Sequence, residues 1–387
     1  MFVLEREHGS LTDCLGPQGV LFDRAARDTL VELQSHHPQE HHARGKGRKA
    51  MIRVGIIGAS GYTAIESIQW LLRHPQVQIT AATSRQGDGS SIADMHPSLV
   101  NRLHLPVEDL SPKQVAERCD VAFSCLPHGA SAHHVMELLD SGCKVIDLSA
   151  DYRLGSPALY QKWYGEAHPD PGRLGATPYG LPELFGDQLH NSSLIANPGC
   201  YPTSAILPLA PLLKEKIVEP MGIVVDSKSG VSGAGRTPKV GNLYCECNES
   251  FSAYSVGNHR HQPEIIDILH RFTGIEPEIA FTPHLVPMER GILSTIYVRP
   301  AGHVSPNQIR DCLSSFYANQ PFVRTIAHLP ATRYTARTNY CDITVRENGS
   351  WIILISTIDN LVKGASGAAV QNLNCMFGLD PTLGLQA

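Results

Sequence analysis

One cysteine of this chain, Cys200, lies in a sequence context that is typical of a reactive thiol. Residues 197–203 read Asn-Pro-Gly-Cys-Tyr-Pro-Thr, after a strand-like apolar run and before a helical pattern over residues 202–213. Because a helix N-terminus presents free N–H groups and a positive dipole, it stabilises a thiolate and lowers a cysteine pKa from about 8.5. The pattern therefore predicts a nucleophile at Cys200 with a lowered pKa. Since the chain has ten cysteines, a small buried apolar residue is the alternative interpretation.

Two histidines could move a proton beside such a thiolate. Residues 258–264 read Asn-His-Arg-His-Gln-Pro-Glu at the start of a helical pattern that continues to Phe272. An imidazole with an ordinary pKa of about 6.5 can take a proton from a thiohemiacetal oxygen or return it. His259 and His261 are therefore candidates for the acid–base step, and the sequence does not choose between them.

Three arginines are candidates for binding a substrate carboxylate or phosphate, because a guanidinium forms paired, charge-assisted hydrogen bonds with these groups. They are Arg153, Arg236 and Arg260. Arg236 ends the glycine-rich turn 230–236, which has no helical pattern close behind it. We expect this turn to bind an anion or to form part of a flexible lid, and its Ser232 is a further substrate-binding candidate.

A second glycine-rich turn predicts a dinucleotide site. Residues 58–64 read Gly-Ala-Ser-Gly-Tyr-Thr-Ala, follow a strand-like run and open a helical pattern. Glycines at such a turn let the backbone approach a phosphate that is held at the helix N-terminus. Packing alone is the alternative reason for the glycines. The cofactor-binding candidates of this turn are Gly58, Ser60, Gly61, Tyr62 and Thr63.

The end of the second predicted strand favours NADP(H) over NAD(H). An acidic residue there would accept a hydrogen bond from a ribose 2′-hydroxyl, but the chain reads Thr83-Ser84-Arg85. A hydroxyl and a guanidinium suit a 2′-phosphate, so Ser84 and Arg85 are cofactor-binding candidates. The alternative is that Arg85 is a solvated loop residue. Residues 124–129, after another predicted strand, are expected to line the same crevice.

The order of the predicted elements indicates two domains. Strand patterns at 52–57, 78–83, 121–125 and 145–148 alternate with helical segments, which predicts a Rossmann-type α/β domain over residues 51–199. Longer strand-rich stretches follow at 223–226, 279–285, 291–299, 341–346 and 351–358, which predict an α+β catalytic domain over residues 200–359. Segment 360–387, helical over 360–377, is expected to complete the first domain. A dinucleotide fold with a reactive cysteine indicates oxidoreduction at the aldehyde level.

Composition narrows the partners and the compartment. The chain has 387 residues, 42% of them hydrophobic, and a net charge of −5. Because basic residues are dense only at residues 44–49, nucleic acid and anionic membranes are not expected partners. The cysteines form no regular framework and no apolar run is long enough to span a bilayer, so a cytoplasmic enzyme is expected. Cys245-Glu246-Cys247 is interpreted as part of a strand rather than a metal-ligand pair.

Residues 1–50 differ from the rest of the chain and are interpreted as an N-terminal extension, expected to be flexible. A metal site is the weaker interpretation of the histidines there, since their spacing matches no closed site; these are His36, His37, His41 and His42. No metal is predicted. Met51, directly before the first strand pattern, could mark the start of the folded core or an alternative translation start.

With these residues assembled, the chain resembles the N-acetyl-gamma-glutamyl-phosphate reductase family of the semialdehyde dehydrogenase group. The resemblance covers residues 51–387. It is carried by motifs in one order along the chain, at residues 58–63, 83–85, 147–153, 197–203, 230–236, 259–264, 284–288 and 359–364. It implies an NADPH-dependent enzyme of arginine biosynthesis, commonly a dimer or tetramer assembled through the second domain.

The resemblance also implies roles for individual residues. Cys200 would attack the acyl phosphate of N-acetylglutamyl phosphate, release phosphate and form a thioester, and hydride from NADPH would reduce it to the semialdehyde. His261 or His259 would move the proton, Glu264 would orient a histidine, and Asn360 would lie near the nicotinamide. The alternatives are a sibling reductase for aspartyl phosphate or for a protein-carried aminoadipate derivative, and an NADP-binding regulatory protein without catalytic activity.

Overall fold

A computed structural model describes residues 51–386, and the N-terminal extension with its histidines and basic residues lies outside this range. The strands are β1 (Ile52–Ile57), β2 (Val77–Thr83), β3 (Asp88–Ser91), β4 (Pro106–Glu108), β5 (Val121–Ser124), β6 (Lys144–Asp147), β7 (Leu194–Ala196), β8 (Ile223–Gly230), β9 (Ser252–Ala253), β10 (Ile279–Val286), β11 (Ile292–Val298), β12 (Val323–Thr325), β13 (Cys341–Asn348) and β14 (Trp351–Ile358). The α-helices are α1 (Tyr62–Leu71), α2 (Ile92–Met95), α3 (Pro112–Arg118), α4 (Ser131–Asp140), α5 (Pro157–Tyr164), α6 (Pro182–Leu189), α7 (Cys200–Lys214), α8 (Tyr244–Cys247), α9 (His261–Thr273), α10 (Pro306–Phe316), α11 (Thr332–Thr335) and α12 (Gly367–Met376).

The first sheet has the order β3-β4-β2-β1-β5-β6-β7 and is parallel except for β3. Its strand order reverses between β1 and β5, and in such sheets a ligand binds beyond the carboxyl ends of the strands at this point. The glycine-rich turn follows β1 there. Gly58 has φ +79°, and a Cβ atom at this position would lie 3.1 Å from the carbonyl oxygen of Cys125. A side chain would therefore be strained at this close turn. The strand order confirms the predicted Rossmann-type architecture, and phosphate binding at the turn stays a prediction.

The second sheet is mixed, with the order β12-β13-β14-β11-β8-β10-β9. Its rear face packs on α7, α9 and α10 around one apolar core. Four buried serines lie where α7 crosses this face. Their small side chains let the helix approach the strands, and their hydroxyls hydrogen-bond among themselves or to the helix backbone; they are Ser204, Ser227, Ser294 and Ser356.

Helix α7 tolerates two internal prolines because hydroxyl groups replace the backbone donors that the prolines lack. Pro208 cannot donate to the carbonyl of Ser204, which instead accepts from the hydroxyl of Ser356 at 2.6 Å. Pro211 likewise leaves the carbonyl of Leu207 free, and the hydroxyl of Tyr317 donates to it at 2.6 Å. The helix that begins at Cys200 is thus attached along its length to the second sheet and to α10.

The C-terminal segment is helical over residues 362–376, close to the predicted range 360–377, but its first turn is not α-helical. A π-helical turn over Val362–Ser366 precedes α12, and apolar residues of both pack into the core of the first sheet. The fully buried Lys363 donates to Glu183 at 2.5 Å and to Gln371 at 2.9 Å. This ion pair anchors the π-turn to α6 and α12, because a charge buried at this depth requires a partner.

Two further features differ from the sequence-based expectations. Cys245 and Cys247 lie in the one-turn helix α8, not in a strand, because the exposed segment around them has no neighbouring strand to pair with. The short strands β3 and β4, which carry little apolar signal, extend the first sheet beyond β2. Within residues 51–386, no helix is long and apolar enough to cross a membrane.

Candidate active site

Cys200 is the first residue of α7, directly after the turn 197–199 that leaves the first sheet at β7. The turn thus joins the two sheets, and the cysteine lies at their junction. The N-terminal residue before the helix, Gly199, provides no side-chain cap. The N–H groups of Cys200 and Tyr201 consequently face the sulfur, and their hydrogen bonds lower the pKa of its thiol.

A buried carboxylate fixes the turn that carries the cysteine. One oxygen of Glu264 accepts hydrogen bonds from the Gly199 N–H at 2.8 Å and from the Tyr179 hydroxyl at 2.7 Å. Its other oxygen accepts from Nη1 of Arg153 at 3.2 Å, and the Glu264 side chain is 1% exposed. Because these donors occupy both oxygens, Glu264 holds the backbone before Cys200. The role implied by the family resemblance, orientation of a histidine, does not correspond to these contacts.

Arg153 also differs from its predicted role as a ligand of a substrate anion. Its side chain is buried, and besides Glu264 it donates from Nε to the carbonyl of Asn197 and from Nη2 to the carbonyl of Leu148, at 2.8 and 2.9 Å. All three nitrogens are thus bonded to protein. Arg153 is a positioning residue that ties the turn 197–199 to the end of β6.

Two glycines allow other groups to pack directly against the cysteine turn. A Cβ atom on Gly199 would lie 2.7 Å from Nε2 of His261 and 2.9 Å from Nη1 of Arg153. A Cβ atom on Gly364, in the π-turn, would lie 2.7 Å from Cβ of Cys200. Since real Cβ atoms do not approach so closely, a side chain at Gly364 would collide with Cys200 itself, and one at Gly199 would displace the ends of His261 and Arg153. His261 therefore reaches one side of the turn and the π-turn covers the other.

The pKa of Cys200 is not lowered in this structure, contrary to the prediction from its helix position. Burial raises the pKa of the thiol to about 11, and the nearby Glu264 carboxylate contributes to the increase. The helix N–H groups and Arg153 act in the opposite direction but do not outweigh desolvation. The resting cysteine is therefore a protonated thiol at neutral pH.

Both histidines are neutral in this arrangement. Burial lowers the pKa of His259 to about 4, with a smaller contribution from the charge of Arg260. Burial also lowers the pKa of His261 well below its ordinary value, and the neighbouring His259 adds to the effect. The Nδ1 atom of His259 accepts a hydrogen bond from the backbone N–H of His261 at 3.1 Å, and both rings pack edge-on against Tyr201. A neutral His261 beside the turn can accept the cysteine proton.

Arg260 extends toward the first sheet from the residue before α9. Its guanidinium stacks on the ring of Tyr164, 4.8 Å from the ring centroid, and Nη1 contacts Nε2 of His128. His128 belongs to the loop after β5, which was predicted to line the cofactor crevice. The contact therefore connects the two sheets next to the cysteine.

The cofactor candidates gather at the carboxyl edge of the first sheet. Gly58, Gly61 and Thr63 shape the turn into α1, and the carbonyl of Ser60 accepts a hydrogen bond from Nη1 of Arg236 at 2.9 Å. Ser84 and the exposed Arg85 follow β2, and no hydrogen bond to another described residue involves the Arg85 side chain. This free guanidinium and the close glycine turn fit a phosphorylated dinucleotide. Arg236, predicted to bind substrate, contacts the cofactor turn instead.

A cleft of about 380 Å³ separates α1 from the second sheet. Its walls include Tyr62, Ser232, Arg236 and Arg290. The buried side chain of Asn360 lies behind it: Oδ1 accepts from the Gly291 N–H at 2.7 Å and Nδ2 donates to the Ser232 hydroxyl at 3.0 Å. Asn360 thus positions the Ser232 turn, and its predicted place beside a nicotinamide stays a prediction. Among residues 51–386, no group of His, Cys, Asp or Glu side chains is arranged to hold a metal ion.

Sequence reasoning missed several residues of this site. Tyr179 gave no local signal, and Gly364 was included only as the last residue of the motif 359–364, because their importance arises from contacts with residues far along the chain. His128 was included only as part of a crevice segment. Its position after a predicted strand, at the edge where β1 also ends, could have identified it.

Comparisons with known proteins agree with this architecture. The family described as "Semialdehyde dehydrogenase, NAD binding domain" matches residues 53–192, and "Semialdehyde dehydrogenase, dimerisation domain" matches residues 200–360. The chain is 52% identical over 339 residues to N-acetyl-gamma-glutamyl-phosphate reductase of Rhodopirellula baltica, covering 86% of this chain and 98% of that protein. It is 51% identical over 340 residues to the enzyme of the same name from Citrifermentans bemidjiense, covering 87% and 98%.

Solved structures of similar fold are more distant in sequence. Aspartate semialdehyde dehydrogenase II of Vibrio cholerae superimposes with a TM-score of 0.65 at 17% identity, covering 84% of this chain and 98% of that one. Aspartate semialdehyde dehydrogenase of Candida albicans, solved with NADP, gives a TM-score of 0.63 at 18% identity with the same coverage. At this identity the likeness establishes the fold alone.

We expect Cys200 of the free enzyme to be alkylated slowly by iodoacetamide at neutral pH, because the thiolate is the nucleophile and burial raises the pKa of this thiol to about 11. Its rate should increase through the alkaline range. Mass spectrometry of the Cys200 peptide measures the rate at each pH, with the exposed Cys245 as internal reference. A rate for Cys200 that already levels off near neutral pH would contradict this expectation.

Proposed function

We propose a reaction for this chain on the basis of its family. The chain belongs to the N-acetyl-gamma-glutamyl-phosphate reductase family, whose members are oxidoreductases of the semialdehyde dehydrogenase group. The chain reduces N-acetyl-L-glutamyl 5-phosphate to N-acetyl-L-glutamate 5-semialdehyde and releases phosphate, in arginine biosynthesis. The observation that carries this proposal is a single cysteine on a fixed turn, with a neutral histidine nitrogen packed against that turn. A cytoplasmic location of the protein stays a prediction from the sequence.

Proton transfer from Cys200 to His261 starts the proposed mechanism. The pKa of the thiol is high in the resting site and the imidazole is neutral, so the thiolate does not persist there, and the proton moves to His261 as the sulfur attacks the bound acyl phosphate. The N–H groups of Cys200 and Tyr201 stabilise the thiolate as it forms. The thiolate then attacks the acyl carbon, the bond from this carbon to the phosphate oxygen breaks, and a thioester remains on Cys200.

Reduction completes the mechanism. When bound, the nicotinamide cofactor supplies the hydride that reduces the thioester. Hydride addition leaves an oxyanion on the former acyl carbon. As its C=O bond forms again, the carbon–sulfur bond breaks, His261 returns its proton to the sulfur of Cys200, and the aldehyde is released. We assign this role to His261 because its Nε2 packs on the cysteine turn, whereas Nδ1 of His259 accepts a backbone hydrogen bond and its ring is tilted against that of His261. Ser232, Arg236 and Arg260 remain the proposed contacts for the anionic ends of substrate and cofactor.

NADP(H) is the proposed cofactor. Arg85 supports it, because this exposed guanidinium follows β2 at the place where an acidic residue would select a ribose 2′-hydroxyl. The NAD-binding family match leaves the choice between the two dinucleotides to such residues.

The enzyme is proposed to form a homo-oligomer through the open face of the second sheet. Half-buried apolar side chains line this face on neighbouring strands, among them Val224, Tyr297, Ile353 and Ile355. The match to a dimerisation domain over this part of the chain supports a second copy as their partner.

We expect the purified enzyme to reduce NADP⁺ over many turnovers with N-acetylglutamate semialdehyde only when phosphate is present, and Cys200→Ser to abolish this turnover because no thioester forms. NADPH absorbance provides the measurement. Aspartate semialdehyde is the comparison substrate, and Cys245→Ser is the matched control that should keep full activity. Turnover with aspartate semialdehyde alone would reassign the substrate. Cofactor binding without turnover of either aldehyde would favour a regulatory protein.

Replacing Arg85 tests the cofactor. Arg85→Gln should raise the KM for NADPH about 10- to 100-fold, the effect of one charge-assisted hydrogen bond to the 2′-phosphate. The KM for NADH should change little. Steady-state kinetics with both cofactors provides the comparison, and Arg102→Gln on the same domain is the control. Equal effects on both cofactors would reject the assignment of Arg85 to the 2′-phosphate.

A charge on the open sheet face tests the assembly. Ile355→Glu should reduce the molar mass in solution to that of a smaller species, because a carboxylate cannot be buried unpaired between two copies. Light scattering after gel filtration measures the mass, and circular dichroism verifies folding. Val240→Glu, at a residue that is already 73% exposed, is the matched control. An unchanged mass for Ile355→Glu would place the interface elsewhere.

A further inference from the structure

Arg260 carries a positive charge that no carboxylate of the described chain neutralises. None of the ion pairs among residues 51–386 includes it, although the other arginines of the site, Arg153 and Arg290, each have acidic partners. Its guanidinium is nevertheless held in place, stacked on Tyr164 and in contact with His128. A fixed, half-buried and uncompensated guanidinium has the properties of an anion-binding group.

His128 is the polar partner of Arg260, since its Nε2 contacts Nη1 of the guanidinium. The loop that carries it is fixed, because the N–H groups of Gly129 and Ala132 donate to the carboxylate of Asp151 at 2.8 and 3.0 Å. Partial burial lowers the pKa of His128, and the charge of Arg260 lowers it further. Among the other charged groups around the ring, Arg153 acts in the same direction, and the carboxylates of Asp151 and Glu166 act against it. A neutral imidazole can therefore accept from Arg260 while no anion is bound.

The floor beneath this pair is rigid. Tyr164 stacks on Tyr160 with the ring centroids 4.5 Å apart and an angle of 8° between the planes. The hydroxyl of Tyr160 donates to Asp151 at 3.3 Å, so the same carboxylate supports the floor and the His128 loop. Binding of an anion would then require little ordering of side chains.

We propose that His128 and Arg260 form a clamp for the phosphate group that leaves, or enters, at Cys200. This inference rests on the proposed function. Arg260 directly precedes His261, whose Nε2 packs on the cysteine turn, and His128 lies near enough to His261 to affect its protonation. The clamp thus lies next to the cysteine turn, and its two residues come from the loop after β5 and from the start of α9.

Solvent access favours phosphate over the carboxylate of the substrate as the ligand of this clamp. Phosphate must leave while the acyl chain stays bonded to Cys200, so its site needs its own path to water. His128 is exposed and Arg260 is partly exposed, whereas Arg153 is buried. A phosphate dianion bound beside Arg260 would also supply the negative charge that lets His128 take up a proton and change from an acceptor for Arg260 into a donor to the phosphate.

The clamp acts in both directions of the reaction. In reduction, the bond between the acyl carbon and the phosphate oxygen breaks, and the oxygen leaves with the bonding electrons, which His128 and Arg260 stabilise by hydrogen bonds. In the reverse direction, a phosphate oxygen attacks the thioester carbon, the carbon–sulfur bond breaks, and the thiolate of Cys200 is released. Neither step requires a reactant beyond those of the proposed reaction.

The reverse reaction separates the phosphate site from the rest of the enzyme, because phosphate and aldehyde each have their own KM. His128→Ala and Arg260→Gln should each raise the KM for phosphate about 10- to 100-fold, as expected for one lost charge-assisted hydrogen bond. The KM for the aldehyde should stay within about twofold. In rapid-mixing experiments, the first burst of NADPH should persist, since thioester formation does not need phosphate.

Matched controls are available on the same domain. His133→Gln replaces an exposed histidine of α4, and Arg73→Gln replaces an exposed arginine that also stacks on an aromatic ring, Trp70. Both should keep the wild-type KM for phosphate. A raised KM for the aldehyde with an unchanged KM for phosphate would overturn the clamp and assign these residues to the substrate carboxylate. Unchanged values for both would also overturn it. Absence of this burst of NADPH in the wild-type enzyme would instead reject the proposed function.

Discussion

The buried carboxylate of Glu264 is the interaction on which the geometry of the cysteine depends. It collects donors from three parts of the chain: the Gly199 N–H of the turn, the Tyr179 hydroxyl and the Arg153 guanidinium. A buried carboxylate without donors is costly. Each donor therefore stabilises the folded state only when the turn, the first sheet and α9 are in place together. The contact therefore makes the position of Cys200 a consequence of domain packing.

The remaining surroundings of the cysteine are fixed by backbone constraints. Pro208 and Pro211 leave carbonyls of α7 unpaired, and hydroxyls from β14 and from the end of α10 donate to them, which orients the helix on its sheet. On the other side, Gly364 lets the π-turn contact Cβ of Cys200, and the buried Lys363–Glu183 pair holds that turn. A π-turn inside a helical segment commonly marks a functional site, and here it forms the cover of the thiol.

The sequence predicted much of this fold, because the relevant signals are local. The run 52–57 forms a strand with the predicted bounds, and the helical pattern after Cys200 is a helix that begins at the cysteine itself. Hydrophobic periodicity and turn glycines depend on neighbours along the chain. The contacts of Glu264 and Arg153 could not be predicted in this way. Arg153 and Glu264 are more than a hundred positions apart in the sequence, and Arg153 and Asn197 are several tens of positions apart. A sequence shows that an arginine is present but not whether its charge is already paired with a carboxylate of the protein.

The same distinction explains the error in the Cys200 pKa. The dipole and N–H groups of α7 are local features and do lower the pKa, but burial is a property of the whole fold and outweighs them. Glu264 raises this pKa while Arg153 lowers it, so their ion pair fixes the geometry without creating a stable thiolate. Activation is left to a neutral His261, whose own charged form is disfavoured by burial and by His259. Because burial disfavours both the thiolate and the imidazolium, the proton stays on the sulfur in the resting site, which keeps the thiol unreactive.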